Sequence, residues 1–85
     1  MRNIPQVSEV MSRDEIREWL RRYYEIPPGR RMMSMNDIAR HISYEASYIR
    51  AIRDNVLPMS PAFQVRFSAH VKEFGWPRVV DKTPQ

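Results

Sequence analysis

The stretch that decides the fold is SMNDIARHISYEASYIRAIRDN, residues 34–55, which predicts two short helices joined by a tight turn. Ser34 is a suitable N-cap, and Asp37 lies in the first turn, where an acid favours the helix dipole. Apolar residues then recur on one helical face, at Ile38, Ala39 and Ile42. The stretch therefore begins with a helix of about two turns.

A second helix is predicted over residues 46–55, after a break at residues 43–45. Ile49 and Ile52 mark its inner side, because their three-residue spacing places them on one face. The small side chain of Ala39 is expected where the two helices cross, since a larger one would hold them apart. Two short helices joined in this way form a helix-turn-helix.

The spacing of these residues resembles that of the Cro/repressor-like, or XRE-like, helix-turn-helix family over roughly residues 14–75. The positions that carry the resemblance are Ile38, Ala39, Ile42, Ser43, Tyr44, Ile49, Ile52 and Pro58. Two positions depart from the family pattern. Ser43 stands where Gly is most common, and Glu45 stands where Ser or Thr often caps the second helix. The resemblance implies a lambda-repressor-like fold and a DNA-binding function.

The sequence before this stretch predicts another helix, over Arg13–Glu25. Ser12 and Glu15 have the spacing of a capping box, which marks its start. Pro27 ends it, because a proline moves the preceding residue out of the helical region.

The sequence after the stretch predicts a last helix. Ser60 is an N-cap followed by Pro61 at the first helical position, and Gly75 ends the helix. The residues expected in the core are Ile16, Trp19, Leu20, Tyr23, Ile38, Ile42, Ile49, Ile52, Phe63, Phe67 and Val71. The fold class predicted is all-α, a compact bundle of four to five short helices that contains a helix-turn-helix.

The length of 85 residues predicts one small domain with a modest core. We expect a flexible N-terminal arm at residues 1–11, a DNA-binding domain at 12–76 and a C-terminal tail at 77–85. Without cysteine there is no disulfide or thiolate site, and we expect no metal and no cofactor. The chain has no signal-peptide run or long apolar span, so we expect a cytoplasmic protein of a bacterial host cell or its nucleoid, without a membrane partner.

The net charge of +4 is carried almost wholly by arginine, with twelve Arg and two Lys against ten acids. Residues 30–53 hold five arginines and two acids, an excess of three, whereas residues 13–25 hold four of each. Guanidinium groups suit bidentate contact with phosphate or guanine. The basic excess lies on the predicted motif, although for an arbitrary small domain such a charge describes only a solvated surface.

The face of the second helix opposite Ile49 and Ile52 is the predicted DNA surface. By the family pattern, Ala46, Ser47 and Ala51 are the residues that approach base edges. The helical phase adds Arg50, with Tyr48 beside it as a further base-reading residue, and Ser47 and Arg50 supply the polar contacts. The predicted phosphate contacts are Arg30, Arg31, Ser34, Asn36, Arg40 and Arg53. Asp54 lies on the same face and repels phosphates unless it pairs with Arg50, and a hydrogen bond to a cytosine amino group is the alternative.

The leading functional interpretation is a small phage-type transcriptional regulator, repressor- or Cro-like, that binds operator DNA as a homodimer. The predicted dimer interface is the set of apolar residues around the end of the last helix, Phe74, Trp76, Val79 and Val80. The tail folding back over its own bundle is the other possibility.

A second functional interpretation is a helix-turn-helix scaffold for protein contact, as an antirepressor or adaptor, with an apolar surface of Tyr48, Ala51 and Met59. An enzyme with a small-molecule substrate is not expected. His41 has no acid or thiol beside it in the sequence, and His70 is expected on the surface of the last helix.

Overall fold

The computed structural model describes residues 10–81, and these form four α-helices and one short 3₁₀ turn. The helices are α1 (Arg13–Glu25), α2 (Met35–Ile42), α3 (Ala46–Arg53) and α4 (Pro61–Phe74), and the 3₁₀ turn is Pro28–Arg30. The prediction of a small all-α domain is confirmed for this part of the chain. Most of the predicted N-terminal arm lies outside the described residues. Within them, no helix is both long enough and apolar enough to cross a membrane.

Serine caps start three of the four helices. The Ser12 hydroxyl accepts from the backbone N–H of Glu15 (3.1 Å), and the Glu15 carboxylate accepts from the Ser12 N–H (2.9 Å), which completes the predicted capping box. Ser34 and Ser60 cap α2 and α4 in the same way. Glu45, at the start of α3, makes no side-chain capping bond.

The predicted end of α3 was two residues too late. Asn55 adopts the left-handed conformation, with φ at 61°, so it cannot continue the helix. The backbone N–H of Val56 then donates to the carbonyl of Ala51 (2.8 Å), and that of Asn55 to Ile52 (3.0 Å), which is the Schellman pattern of a helix C-terminus.

All the residues predicted for the core are buried. Trp19 lies at its centre, with its ring stacked on Tyr23 (5.5 Å between centroids) and edge-on to Phe67 (4.9 Å). Its indole N–H donates to the carbonyl of Gly75 (3.1 Å), so the buried polar atom is satisfied. Both α1 and α2 pack against α3 and α4. Packing against α1 and α2 therefore fixes the position of α3 from two sides.

Two residues predicted at the surface are buried. Met59, assigned to an apolar docking surface in the second interpretation, packs in the core because the connection between α3 and α4 turns inward there. His70 is 1% exposed, since it lies on the inner side of α4 among aromatic rings. His70 lies three residues after Phe67 and four before Phe74, so the helical spacing could have placed it on the buried face.

The chain after α4 lies against the loop that follows α1. Val79 pairs with Arg31 in an isolated antiparallel bridge, and the backbone N–H of Val80 donates to the carbonyl of Arg30 (2.8 Å). The tail thus folds back on its own chain at these residues. The predicted homodimer stays a prediction.

Candidate nucleic-acid interface

The turn between α2 and α3 is closed by two backbone hydrogen bonds. The N–H of Tyr44 donates to the carbonyl of Ala39 (2.9 Å), and that of Ser43 to Arg40 (3.3 Å). This Schellman pattern requires a left-handed residue, and Ser43 provides it with φ at 64° and ψ at 42°. Ser43 therefore takes a conformation in which glycine is usual, and α3 starts only three residues after α2 ends.

Tyr44 and Tyr48 anchor the turn and the first turn of α3 to α4. Their rings stack on each other (5.0 Å, 14° between planes), and both meet Phe63 edge-on. Both tyrosines are half-buried against the core. Tyr48, predicted to read bases, has its ring committed to this packing, so its part in the geometry is to support α3.

The helical phase predicted for α3 is confirmed by burial. Ile49 and Ile52 are both 0% exposed, whereas Ser47 and Arg50 are exposed on the other side of the helix. The two small residues assigned to base contact, Ala46 and Ala51, are half-buried.

Asp54 pairs with the neighbouring Arg53, and not with Arg50, the partner considered from the sequence. The guanidinium of Arg53 donates to both oxygens of the Asp54 carboxylate, from Nε (2.8 Å) and Nη2 (3.0 Å). This bidentate pair holds the pKa of the Asp54 carboxyl below its usual range. The side chain of Arg50 makes no hydrogen bond or ion pair within residues 10–81, so its N–H groups face solvent.

Two of the predicted phosphate-binding arginines are held by aromatic rings of α1. The guanidinium of Arg53 lies over Tyr24 (4.4 Å to the ring centroid) and that of Arg31 over Tyr23 (4.7 Å). Arg31 also donates from Nε to the carbonyl of Ile26 (2.8 Å). A phosphate would have to compete with these contacts, which argues against both arginines as its main partners.

The remaining predicted phosphate contacts lie in the loop before α2, at the start of α2 and, for Arg40, in its last turn. Arg30 is exposed, and its side chain makes no hydrogen bond or ion pair within the described residues. Arg40 donates to Asp37 (3.0 Å), and both groups are solvent-exposed, so that pair is weak. Asn36 is exposed in the first turn, whereas the hydroxyl of Ser34 is occupied as the cap.

Comparisons of the chain with protein-family models, curated proteins and solved structures found no match. The resemblance to the Cro/repressor-like family therefore rests on the sequence spacing alone.

The exposed side of α3 carries polar groups that can form hydrogen bonds with a partner. It presents the hydroxyl of Ser47 and the guanidinium of Arg50, with Glu45 at the helix start. Within the described residues, no three His, Cys, Asp or Glu side chains are placed to hold a metal ion. The surface formed by Ser47 and Arg50 is called the α3 face below.

Proposed function

We propose that this protein is a small regulator that binds double-stranded DNA, with α2, its turn and α3 acting as a helix-turn-helix. The α3 face would enter the major groove. The observation that carries the proposal is the position of Arg50. It is exposed opposite the fully buried Ile49 and Ile52, and it has no partner among the described residues. A guanidinium presented in this way matches the two acceptors that guanine offers in the major groove.

The set of base-reading residues that we propose is smaller than the sequence predicts. Ser47 and Arg50 supply the polar contacts. Ala46 and Ala51, which are small and half-buried, permit close approach of α3 to the base edges and can contact a thymine methyl group. Tyr48 holds α3 against α4 in this proposal. With two polar readers, we expect modest specificity for each bound monomer.

Phosphate contacts are proposed for Arg30, Arg40 and Asn36. Arg31 and Arg53 are engaged by tyrosine rings of α1. Fewer arginines can therefore contact phosphate than the five counted in residues 30–53. Each phosphate that an arginine neutralises contributes about −0.9 to the slope of log K against log salt concentration. Asn36 is uncharged and releases no counterion, so Arg30 and Arg40 give a slope of about −2 for each monomer, a moderate dependence on salt.

A regulatory role follows if the protein binds as a homodimer. A single short helix contacts only a few base pairs, and two-fold pairing on half-sites about one DNA turn apart raises both affinity and specificity. We propose a phage-type repressor or Cro-like protein that occupies an operator and blocks polymerase, in the cytoplasm or nucleoid of a bacterial cell.

Selection of bound fragments from random duplex DNA, followed by sequencing, tests the proposal. We expect an enriched motif containing guanine. Binding to that motif should weaken with added salt at the slope given above, because counterions are released on binding. Absence of any enriched motif, together with no retention of duplex at low salt, would contradict DNA binding.

The alternative of a protein-docking scaffold is favoured by one observation. Val56 is 72% exposed, and the adjoining Leu57 is also exposed, directly after α3. This apolar pair, and not the buried Met59, is the surface that such a partner would use. Association through it should be nearly indifferent to salt, so a salt titration of any complex distinguishes the two functions.

A further inference from the structure

Two histidines that lie 29 positions apart in the sequence meet in the fold. The Nδ1 atoms of His41, in the last turn of α2, and His70, on the inner side of α4, are 3.0 Å apart, which is a hydrogen-bond distance. The Nε2 atom of His41 faces the carboxylate of Glu73 at 3.6 Å. His41 is half in solvent, whereas His70 is 1% exposed.

The hydrogen bond between the two Nδ1 atoms requires one donor and one acceptor. Two neutral rings satisfy this when one Nδ1 carries a proton and the other Nδ1 does not. If His41 becomes an imidazolium, both of its nitrogens donate, one to His70 and the other towards Glu73, so a single added proton is accommodated. If both rings are protonated, two N–H groups face each other and the bond is lost.

The surroundings of His70 leave no other charged group to balance a second proton. The α1 side presents the ring of Trp19 (6.2 Å between centroids), and α4 presents the ring of Phe74 (4.7 Å). The charged groups that line the same surface depressions as the pair are Glu73 and Arg66, between α2 and α4, and Asp37 and Arg40, beside His41 on α2. Glu73 faces the outer ring, and Arg66 adds positive charge.

We infer that the hydrogen bond between His41 and His70 is an acid-sensitive link between α2 and α4, called the clasp. The bond is kept when neither ring or one ring carries an added proton, and it is lost when both rings are protonated. Its opening frees the last turn of α2, and with it the turn at Ser43. The clasp is a property of the fold and does not depend on DNA binding.

Burial, followed by the neighbouring His41, lowers the pKa of His70 from 6.5 to about 4. The folded state therefore binds fewer protons than the unfolded state between pH 4 and 6.5. The contribution of His70 to stability is complete above this window, is lost as the pH falls through it, and changes no further below it. A lowering from 6.5 to about 4 corresponds to a rise of about 300-fold in the unfolding constant across the window.

Carboxylates act in a lower window and can be separated from this effect. Hydrogen bonds from Arg21 and Arg22 lower the pKa of Glu18 from 4.5 to about 2. Since its folded pKa is depressed, the stability that Glu18 contributes is lost only as the pH falls from 4.5 towards 2.

The decisive experiment is a pH titration of the imidazole nitrogens in the full chain by long-range ¹H–¹⁵N NMR. We expect His70 to stay neutral until about pH 4, where its protonation coincides with loss of the native amide shifts at Arg40 to Tyr44. Titration of His70 near 6.5, or protonation of both rings without a change at those amides, would overturn the clasp.

Urea unfolding at several pH values provides the matched comparison. His70→Phe keeps a ring in the aromatic cluster but removes the buried titratable group, so its unfolding constant should stay flat between pH 6.5 and 4. His41→Gln offers an amide oxygen that accepts from a protonated His70, so two facing N–H groups cannot form and the pH dependence should be weaker than in wild type. Full wild-type dependence in this variant would assign the effect to burial of His70 alone and contradict the clasp. Equal dependence in wild type and His70→Phe would contradict the proposal. If His70→Phe fails to fold, the wild-type titration still decides.

Discussion

The backbone N–H of Tyr44 donates to the carbonyl of Ala39 across 2.9 Å, and this bond fixes the angle at which the chain leaves α2. It holds Ser43 in a left-handed conformation that costs a residue with a side chain about 1–2 kcal/mol. Ser43→Gly removes that cost but adds unfolded-state entropy of about 0.5–1 kcal/mol. We expect a free energy of unfolding between unchanged and about 1 kcal/mol higher, measured by urea denaturation.

Ser43→Val is the opposite test of the same turn. A β-branched residue is strained at positive φ, and we expect a loss of about 1–3 kcal/mol. If valine were tolerated as well as glycine, the left-handed turn would be wrong, and with it the three-residue spacing between α2 and α3.

The inner anchors of α3 give the second prediction. Ile52→Ala should lower the free energy of unfolding by about 2–5 kcal/mol, because it leaves a cavity at a fully buried position. Ser47→Ala, on the exposed side, should change it by less than about 0.5 kcal/mol. Thermal unfolding of both variants checks the phase of α3. An Ile52→Ala protein with unchanged melting and abolished DNA binding would reverse the assignment of the two faces.

Local signals in the sequence were sufficient for the helices. Serine caps, proline at the first turn and apolar spacing act within a few residues, and they identify where α1 and α4 begin and end. Pairs one turn apart, such as Glu18 with Arg22, were also predictable and are present. The predicted end of α3 is too late because the prediction includes Asn55 in the helix, although asparagine just after the last apolar residue often takes the left-handed conformation that ends a helix.

Other parts of the site depend on contacts between residues far apart in the sequence, and local sequence patterns could not predict these contacts. The position of Arg31 over Tyr23 depends on how the loop after α1 folds back. The meeting of His41 with His70 depends on how α2 packs against α4. No periodicity within one helix reports either contact. The number of arginines near the motif is therefore larger than the number whose guanidinium groups are not already engaged by aromatic rings.

The third prediction concerns base readout. Arg50→Ala should cost about 1–3 kcal/mol on the selected motif and relax preference at one base pair. Arg40→Ala should instead weaken specific and random duplex by similar factors and flatten the salt slope by about one, since a phosphate contact carries no sequence information. Fluorescence anisotropy titrations on both duplexes measure these effects.

Arg21→Ala is the matched control, because it removes one positive charge from α1, away from the α3 face. Its guanidinium bonds to Glu18 and Glu25 on the exposed side of that helix. It should change affinity much less than Arg50→Ala does. Equal losses for the two variants would mean that net charge alone attracts DNA, and Arg50 would not be a base reader.

The fourth prediction concerns the start of α3, where Glu45 forms no side-chain capping bond. Glu45→Ser supplies a capping hydroxyl but removes an acid that favours the helix dipole, so we expect a gain of about 0.5 kcal/mol in stability. Removing the carboxylate from a DNA-facing helix start should also tighten binding severalfold at low salt. Glu45→Gln separates the two effects, because it removes the charge without adding a good cap. If neither variant binds DNA more tightly than the wild type, the start of α3 does not lie near the phosphates.

The last prediction concerns the homodimer and the tail after α4. Of its four predicted interface residues, Phe74 and Val80 are half-buried, the first against His41 and the second bonded to Arg30. Trp76 is 39% exposed and Val79 59% exposed. Only these two leave appreciable apolar surface for a partner copy.

Sedimentation of the wild type and of a Trp76→Ala, Val79→Asp variant decides whether that surface pairs. The measurement is made at micromolar concentration, with and without a duplex that contains two half-sites about one DNA turn apart. We expect a wild-type dimer on this duplex, because adjacent half-sites bring two copies of the exposed patch together, and a charge at position 79 should prevent it. The double variant should keep its monomer fold, since both changes are at exposed side chains. A wild type that loads this duplex as independent monomers rules out the dimer, and the tail then serves only its own bundle, through the bridge from Val79 to Arg31.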